Sequence, residues 1–307
     1  MGRKQYAVAF LMLMGPAAAQ PARAPAENVT VTGTKSREVL EKFVESFAAP
    51  ARMTGKIARW ENGICPVVVG LPAGFTKFVT QRMKDVARQV GAPVNDKESC
   101  EHNIAVVFTT KPQALLDKIR KSQSWFLGYS DNSAQTEKLA TVTHPIQAWY
   151  MTATKDWNGK VDIDSSKTLG PGLEISVPCP GGPGICTYYL PNAHANSVNL
   201  SHLGDGLHST FYDVIIVADP TKLVDYEIGS IADYISLLAL TQLNALDTCQ
   251  QLPSIVNMLA AGCERKVDAL TDNDIAYLRG LYKMSPNMTL RIQQDEIAYQ
   301  MEQGANK

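Results

Sequence analysis

After Ala19 the sequence has no apolar run long enough to cross a bilayer, a span that takes about 20 residues. It also lacks an excess of charge: 29 basic and 30 acidic residues leave a formal net charge of −1. Without a basic surplus there is no electrostatic basis for nucleic acid or an anionic lipid surface as partner. No Cys-x-x-Cys pair occurs, which argues against a thiolate metal site. No Gly-x-Ser-x-Gly elbow occurs either, because Gly128-Tyr129-Ser130-Asp131 breaks the pattern that presents a serine nucleophile. Gly181-Gly182-Pro183-Gly184 lacks the Lys-Ser/Thr and the strand–helix frame of a phosphate-binding loop. No internal repeat is present.

What is there begins with the leader. Arg3 and Lys4 precede an apolar stretch, Tyr6 to Ala19, that ends in Ala17-Ala18-Ala19, the small-residue pattern at which a signal peptidase cuts. Residues 1–19 therefore read as a signal peptide, and a periplasmic or secreted location follows. Loss of Arg3 and Lys4 takes the formal charge from −1 to −3. Residues 20–37, rich in Pro and Ala and then polar, read as a flexible lead-in. The six cysteines, an even number in an exported chain, read as disulfides. Their spacing suggests sequential pairs, Cys65–Cys100, Cys179–Cys186 and Cys249–Cys263.

Periodicity places the elements. Val39, Leu40, Phe43, Val44 and Phe47 form a helical stripe over 38–49, and Phe75, Phe78, Val79, Met83, Val86 and Val90 another over 75–90. Strands are predicted over Lys56 to Trp60, Ile64 to Gly70 and His102 to Thr109. Pro112 opens a helix to about Lys121. An alternating antiparallel strand spans Thr141 to Thr154. Residues 155–209 read as irregular, Phe211 to Ala218 as a strong strand, and Asp225 to Ala245 as a long helix. Two further helices run from Thr271 to Tyr282, opened by the cap cluster Thr271-Asp272-Asn273-Asp274, and from Thr289 to Met301. No linker divides 38–307, so the expectation is one α/β (α+β) domain with a mixed sheet, a long central helix and C-terminal helices.

Two stretches carry a resemblance. Leu252-Pro253-Ser254-Ile255-Val256-Asn257-Met258 is followed by Leu270-Thr271-Asp272-Asn273-Asp274-Ile275-Ala276-Tyr277-Leu278-Arg279-Gly280-Leu281-Tyr282. With the element order over Lys56 to Tyr282, they resemble the Met-turn and C-terminal helix of zincin-type (metzincin-like) metalloprotease domains. They are also similar to secreted bacterial families of unknown function with the same plan. The resemblance places the zinc-binding helix at Ala232 to Gln242. Its three ligand positions then hold Ala232, Ser236 and Gln242, its general-base position Asp233, and its glycine position Ala239. Catalytic zinc needs about three protein ligands, most often imidazoles, and these residues do not supply them. With Ala239 in the glycine's place, the helix is expected to continue through Leu243. The apolar residues of this helix also fit a plain core helix.

The resemblance thus implies a catalytically inactive protein with no cofactor, one that binds a peptide, protein or envelope component. An edge strand over the active helix pairs with the substrate in zincins, so Thr141 to Thr154 would be the place for an extended peptide. Trp149, Tyr150 and Met151, with Tyr188 and Tyr189, either line that cleft or pack the core, and packing is the simpler reading. The alternative is an active metallohydrolase or metalloprotease with another ligand set for a metal such as zinc, His194, His202 and His208 with Asp205. Their spacing matches no helix or turn that fixes ligands. His102 and His144 stand alone and read as structural.

Overall fold

Runs such as Val67-Val68-Val69 and Val214-Ile215-Ile216-Val217 have no polar side of their own, so they can only be strands covered on both faces. That is where they lie. The computed structural model describes residues 37–156, 158–165, 173–179, 182–190 and 206–305, all within one unit, Thr34–Lys307. Its elements in order are α1 (Arg37–Phe47), β1 (Pro66–Val69), α2 (Ala73–Val90), β2 (Ile104–Phe108), α3 (Pro112–Gln123) and α4 (Ser133–Leu139). These are followed by β3 (Ile146–Lys155), β4 (Val161–Ile163), β5 (Leu173–Pro178), β6 (Ile185–Leu190) and β7 (His208–Ala218). The chain continues with α5 (Ile228–Leu240), α6 (Asp272–Lys283) and α7 (Leu290–Ala305).

The main sheet is mixed, in the order β1-β2-β7-β3-β4. β1, β2 and β7 are parallel, and β3 runs antiparallel to both β7 and β4. Alternate strand residues serve two cores, as a side-chain period of two requires. Val68, Val106, Val214 and Ile216 face α1, α2, α5, α6 and α7. Val69, Val107, Ile215 and Val217 face Leu116 and Ile119 of α3, Phe126 and Leu127, and the β5–β6 hairpin. The result is a three-layer mixed α/β architecture. Among the described residues no helix is long and apolar enough to cross a membrane.

Three expectations need correction. Lys56 to Trp60 is not a strand; it makes only isolated bridges, Pro50 with Ile57 and Arg59 with Thr210. Its side chains bind helix-end carbonyls instead: Arg59 donates to the carbonyls of Leu281, Tyr282 and Met284 at the end of α6. Residues 155–209 are not wholly irregular, since β4, β5, β6 and the start of β7 lie there. Leu173-Glu174-Ile175-Ser176-Val177-Pro178 alternates strictly, with the three apolar side chains buried. Finally, α5 stops at Leu240, and Thr241 is extended.

The end of α5 has a definite cause. A helix terminus leaves carbonyls without partners, which is costly inside a core. Here side chains from elsewhere supply them. Trp60 Nε1 donates to the Ala239 carbonyl at 2.7 Å, and Tyr282 Oη to that of Leu240 at 3.0 Å. Tyr150 shares its one O–H between the carbonyls of Leu238 at 2.8 Å and Thr241 at 2.9 Å.

Candidate functional site

The cysteines pair as their spacing suggests: Cys65–Cys100, Cys179–Cys186 and Cys249–Cys263 are bonded.

On α5 the chemistry is closed. Ala232 is fully buried and offers no donor atom. The buried Ser236 hydroxyl donates to the Ala232 carbonyl at 2.6 Å, one turn back. Asp233 Oδ1 receives Arg82 Nε of α2 at 2.5 Å, and Oδ2 receives the Leu270 amide at 3.0 Å. Asp233 is thus a brace between α2, α5 and the approach to α6. Zinc, which the resemblance implies, does not fit this set of residues. The Leu252 to Met258 stretch contains a 3-10 turn, Ile255–Met258, and is tied to α6 by Asp274. That carboxylate accepts from Ser254 Oγ at 2.5 Å and from the amides of Ile255 and Thr271, both at 2.9 Å, within a complete capping box.

Gln242 is different: it lines an open groove of about 590 Å³ that lies against β3. Gln147, Ala148 and Tyr150 of β3 line it, together with Gly128, Lys138, Arg52 and Gln242. The backbone decides what the groove offers. The Pro145 carbonyl points toward β7, accepting from the Asp219 amide, whereas that of Thr152 points outward to the Asp164 amide. Antiparallel pairing alternates, so Ile146, Ala148 and Tyr150 present their peptide groups to the outer edge. β4 covers only Ala153 to Lys155. Gly128, at φ +94°, sits against Tyr150, where a Cβ would come within 2.7 Å of the Tyr150 carbonyl oxygen. The outward groups of Ala148 remain unpaired among the described residues and face the groove, whereas Ile146 is fully buried and does not line it.

The aromatics settle on the core side. Trp149 is buried, with Nε1 donating to the Leu139 carbonyl at 2.6 Å; Tyr150 points at α5; and Met151 is buried. Tyr188 packs against the hairpin-side core. The Tyr189 side chain lies outside the described residues.

Of the alternative ligand set, His194, His202 and Asp205 lie outside the described residues. His208 Nε2 lies 2.8 Å from Glu61 Oε1, off the line of a hydrogen bond, and pairs with it as a charge when the imidazole is protonated. Lys155 Nζ reaches the other Glu61 oxygen at 2.8 Å. His208 and Lys155 together hold the Glu61 carboxyl down to about 2, against the cost of burial. His144 bridges Thr143 and Asp247, and His102 Nδ1 lies 3.4 Å from Cys65 Sγ. Compared with known proteins, the chain matches no family model, no curated sequence and no solved structure.

Proposed function

We propose that this is an exported, disulfide-bonded, zincin-like protein that is catalytically silent and binds an extended peptide along β3. The observation that carries the reading is the unpaired outer backbone of Ala148, which faces an open groove. An exposed edge of this kind accepts an added strand through main-chain hydrogen bonds, while side-chain pockets supply selectivity. Antiparallel β3 beside β7, with α5 the next α-helix after β7, supports the zincin-like plan. So does Gln242, the third ligand position, in the same groove as that strand. The commitments of Ser236 and Asp233 support silence at the old metal position. The leader, with its basic start and small-residue end, supports export, as do the disulfides, which persist in oxidising compartments.

Arg52 and Lys138 line the groove, and no acidic side chain does so among the described residues. Arg52 already reaches Gln135 at 2.7 Å and Asp131 at 3.8 Å, so Lys138 is the freer cation. The favoured peptide is therefore extended and acidic.

The test is a labelled peptide of alternating valine and glutamate, titrated into the full disulfide-bonded chain and followed by fluorescence anisotropy. Saturable binding is expected, with the peptide intact by mass spectrometry even when zinc is added. Ala148→Pro removes an outward N–H while leaving the β7 ladder untouched, and should weaken binding about tenfold. A backbone N-methylated peptide should bind no better than that variant allows, which keeps the test valid if the proline disturbs folding. Cleavage of the peptide, no binding, or equal binding of the N-methylated form would sink the proposal.

A further inference from the structure

Asp213 is an acid inside a strand that is otherwise apolar, Phe211-Tyr212-Asp213-Val214-Ile215-Ile216. It sits beside an irregularity: Met151 pairs with Asp213 and Thr152 with Phe211, so Tyr212 is the extra residue of a β-bulge. Bulges redirect side chains and gather at functional positions. Asp213 is only 2 % exposed, and its Oδ2 has no hydrogen-bond partner. A buried carboxylate without a partner is among the costlier features a fold can retain. Burial, with Glu101 nearby, pushes the Asp213 carboxyl well above its usual range.

This residue lines a cavity of about 220 Å³ at the start of β2, with Glu101, Tyr212, His102, Asn62 and Asn95 in the walls. The cavity shares no residue with the β3 groove. Its acidic groups are Asp213, buried in the wall, and Glu101, exposed at the rim. Burial, and then Lys84, hold the His102 imidazole below its usual range, so near neutral pH it brings no competing positive charge. Lys84 itself is engaged by the Asn95 carbonyl at 3.0 Å.

The walls also discriminate between kinds of cation. A hard metal ion wants six to eight oxygen ligands at short range, about 2.3–2.6 Å for calcium. Among the described residues no group of three His, Cys, Asp or Glu is placed to share one ion. The space is that of a short organic body, and Trp60 and Tyr212 add aromatic surface of the kind that attracts ammonium groups. We propose that this cavity binds a small organic cation bearing a primary ammonium group, which pairs with the unpartnered carboxylate of Asp213 and is attracted by Glu101 at the rim. A free amine and a lysine side chain share this chemistry.

The experiment uses the full disulfide-bonded chain and three probes, n-butylammonium, n-butanol and Nα-acetyl-lysine methylamide, each titrated by calorimetry. Saturable binding of n-butylammonium without binding of n-butanol is expected. Binding of the lysine derivative as well identifies a side-chain site; its exclusion identifies a site for a free amine, and either supports the shared chemistry. Asp213→Asn should weaken n-butylammonium about a hundredfold, because the amide cannot take the negative charge that pairs with the ammonium. Glu101→Gln, at the exposed rim, should weaken it only a few-fold. The proposal is overturned if n-butylammonium does not bind, if n-butanol binds equally, if calcium displaces the amine, or if folded Asp213→Asn binds unchanged. Should that variant not fold, the contrast between n-butylammonium and n-butanol decides alone.

Discussion

Single acids in this chain do very different work according to what meets them. Asp233 stands where the resemblance places a general base, yet both oxygens are occupied by Arg82 and the Leu270 amide. Glu61 is the clearest electrostatic brace, between His208 and Lys155. Its carboxyl falls from an ordinary 4.5 to about 2 in the folded chain. A depressed acid stabilises the fold above its unfolded value, and that contribution is lost as pH falls through the folded one. Urea unfolding of wild type and Glu61→Gln should therefore differ by about 1 kcal/mol at neutral pH, after allowing for partial solvent screening. The difference should shrink between 4.5 and about 2. A constant difference across that window would show that Glu61 acts by packing and not by charge. Asp213 was visible in the sequence as a charge inside an apolar strand, but its neighbours Glu101 and Asn62 come from other segments and could not be read with it.

The end of α5 shows how elements are cut to length. Nothing in Leu238-Ala239-Leu240-Thr241-Gln242 signals a stop, and local propensity alone would carry the helix on. The stop comes from Trp60, Tyr150 and Tyr282, which supply donors to its last carbonyls. Tyr150→Phe should cost about 1–3 kcal/mol in chemical denaturation, since it leaves buried acceptors at Leu238 and Thr241 without a partner. A negligible loss would mean that water or a shifted backbone replaces the hydroxyl. By contrast, α6 was legible from sequence because its signal is local: Thr271 and Asp274 close a capping box within one turn. The β5–β6 hairpin carried an equally local signal, the alternation from Leu173 to Pro178, obscured by the Pro/Gly-rich loop next to it.

Across the whole molecule, the disulfides close loops of very different size. Sequence separations are 35 for Cys65–Cys100 and 7 for Cys179–Cys186. Loop-closure entropy predicts that replacing both cysteines by Ala costs about 4 kcal/mol for the first pair and about 2 kcal/mol for the second. Thermal unfolding of the two double variants should rank in that order; a reversed order would place the stabilisation in native contacts of the hairpin instead. The sequence by itself determined β1, β2, β3, β7 and most helices, because period-two and period-3.6 patterns are local and burial enforces them. Its spacing suggested the cysteine partners that the structure bonds, since neighbours in sequence are the cheapest to bring together. Only the tertiary structure decided where α5 ends, that Trp149 and Tyr150 turn inward, and that β3 leaves the outer backbone of Ala148 unpaired beside a groove. Each of these depends on a donor, a wall or a missing neighbour contributed by a distant segment, and such a contribution leaves no mark on the residues it affects.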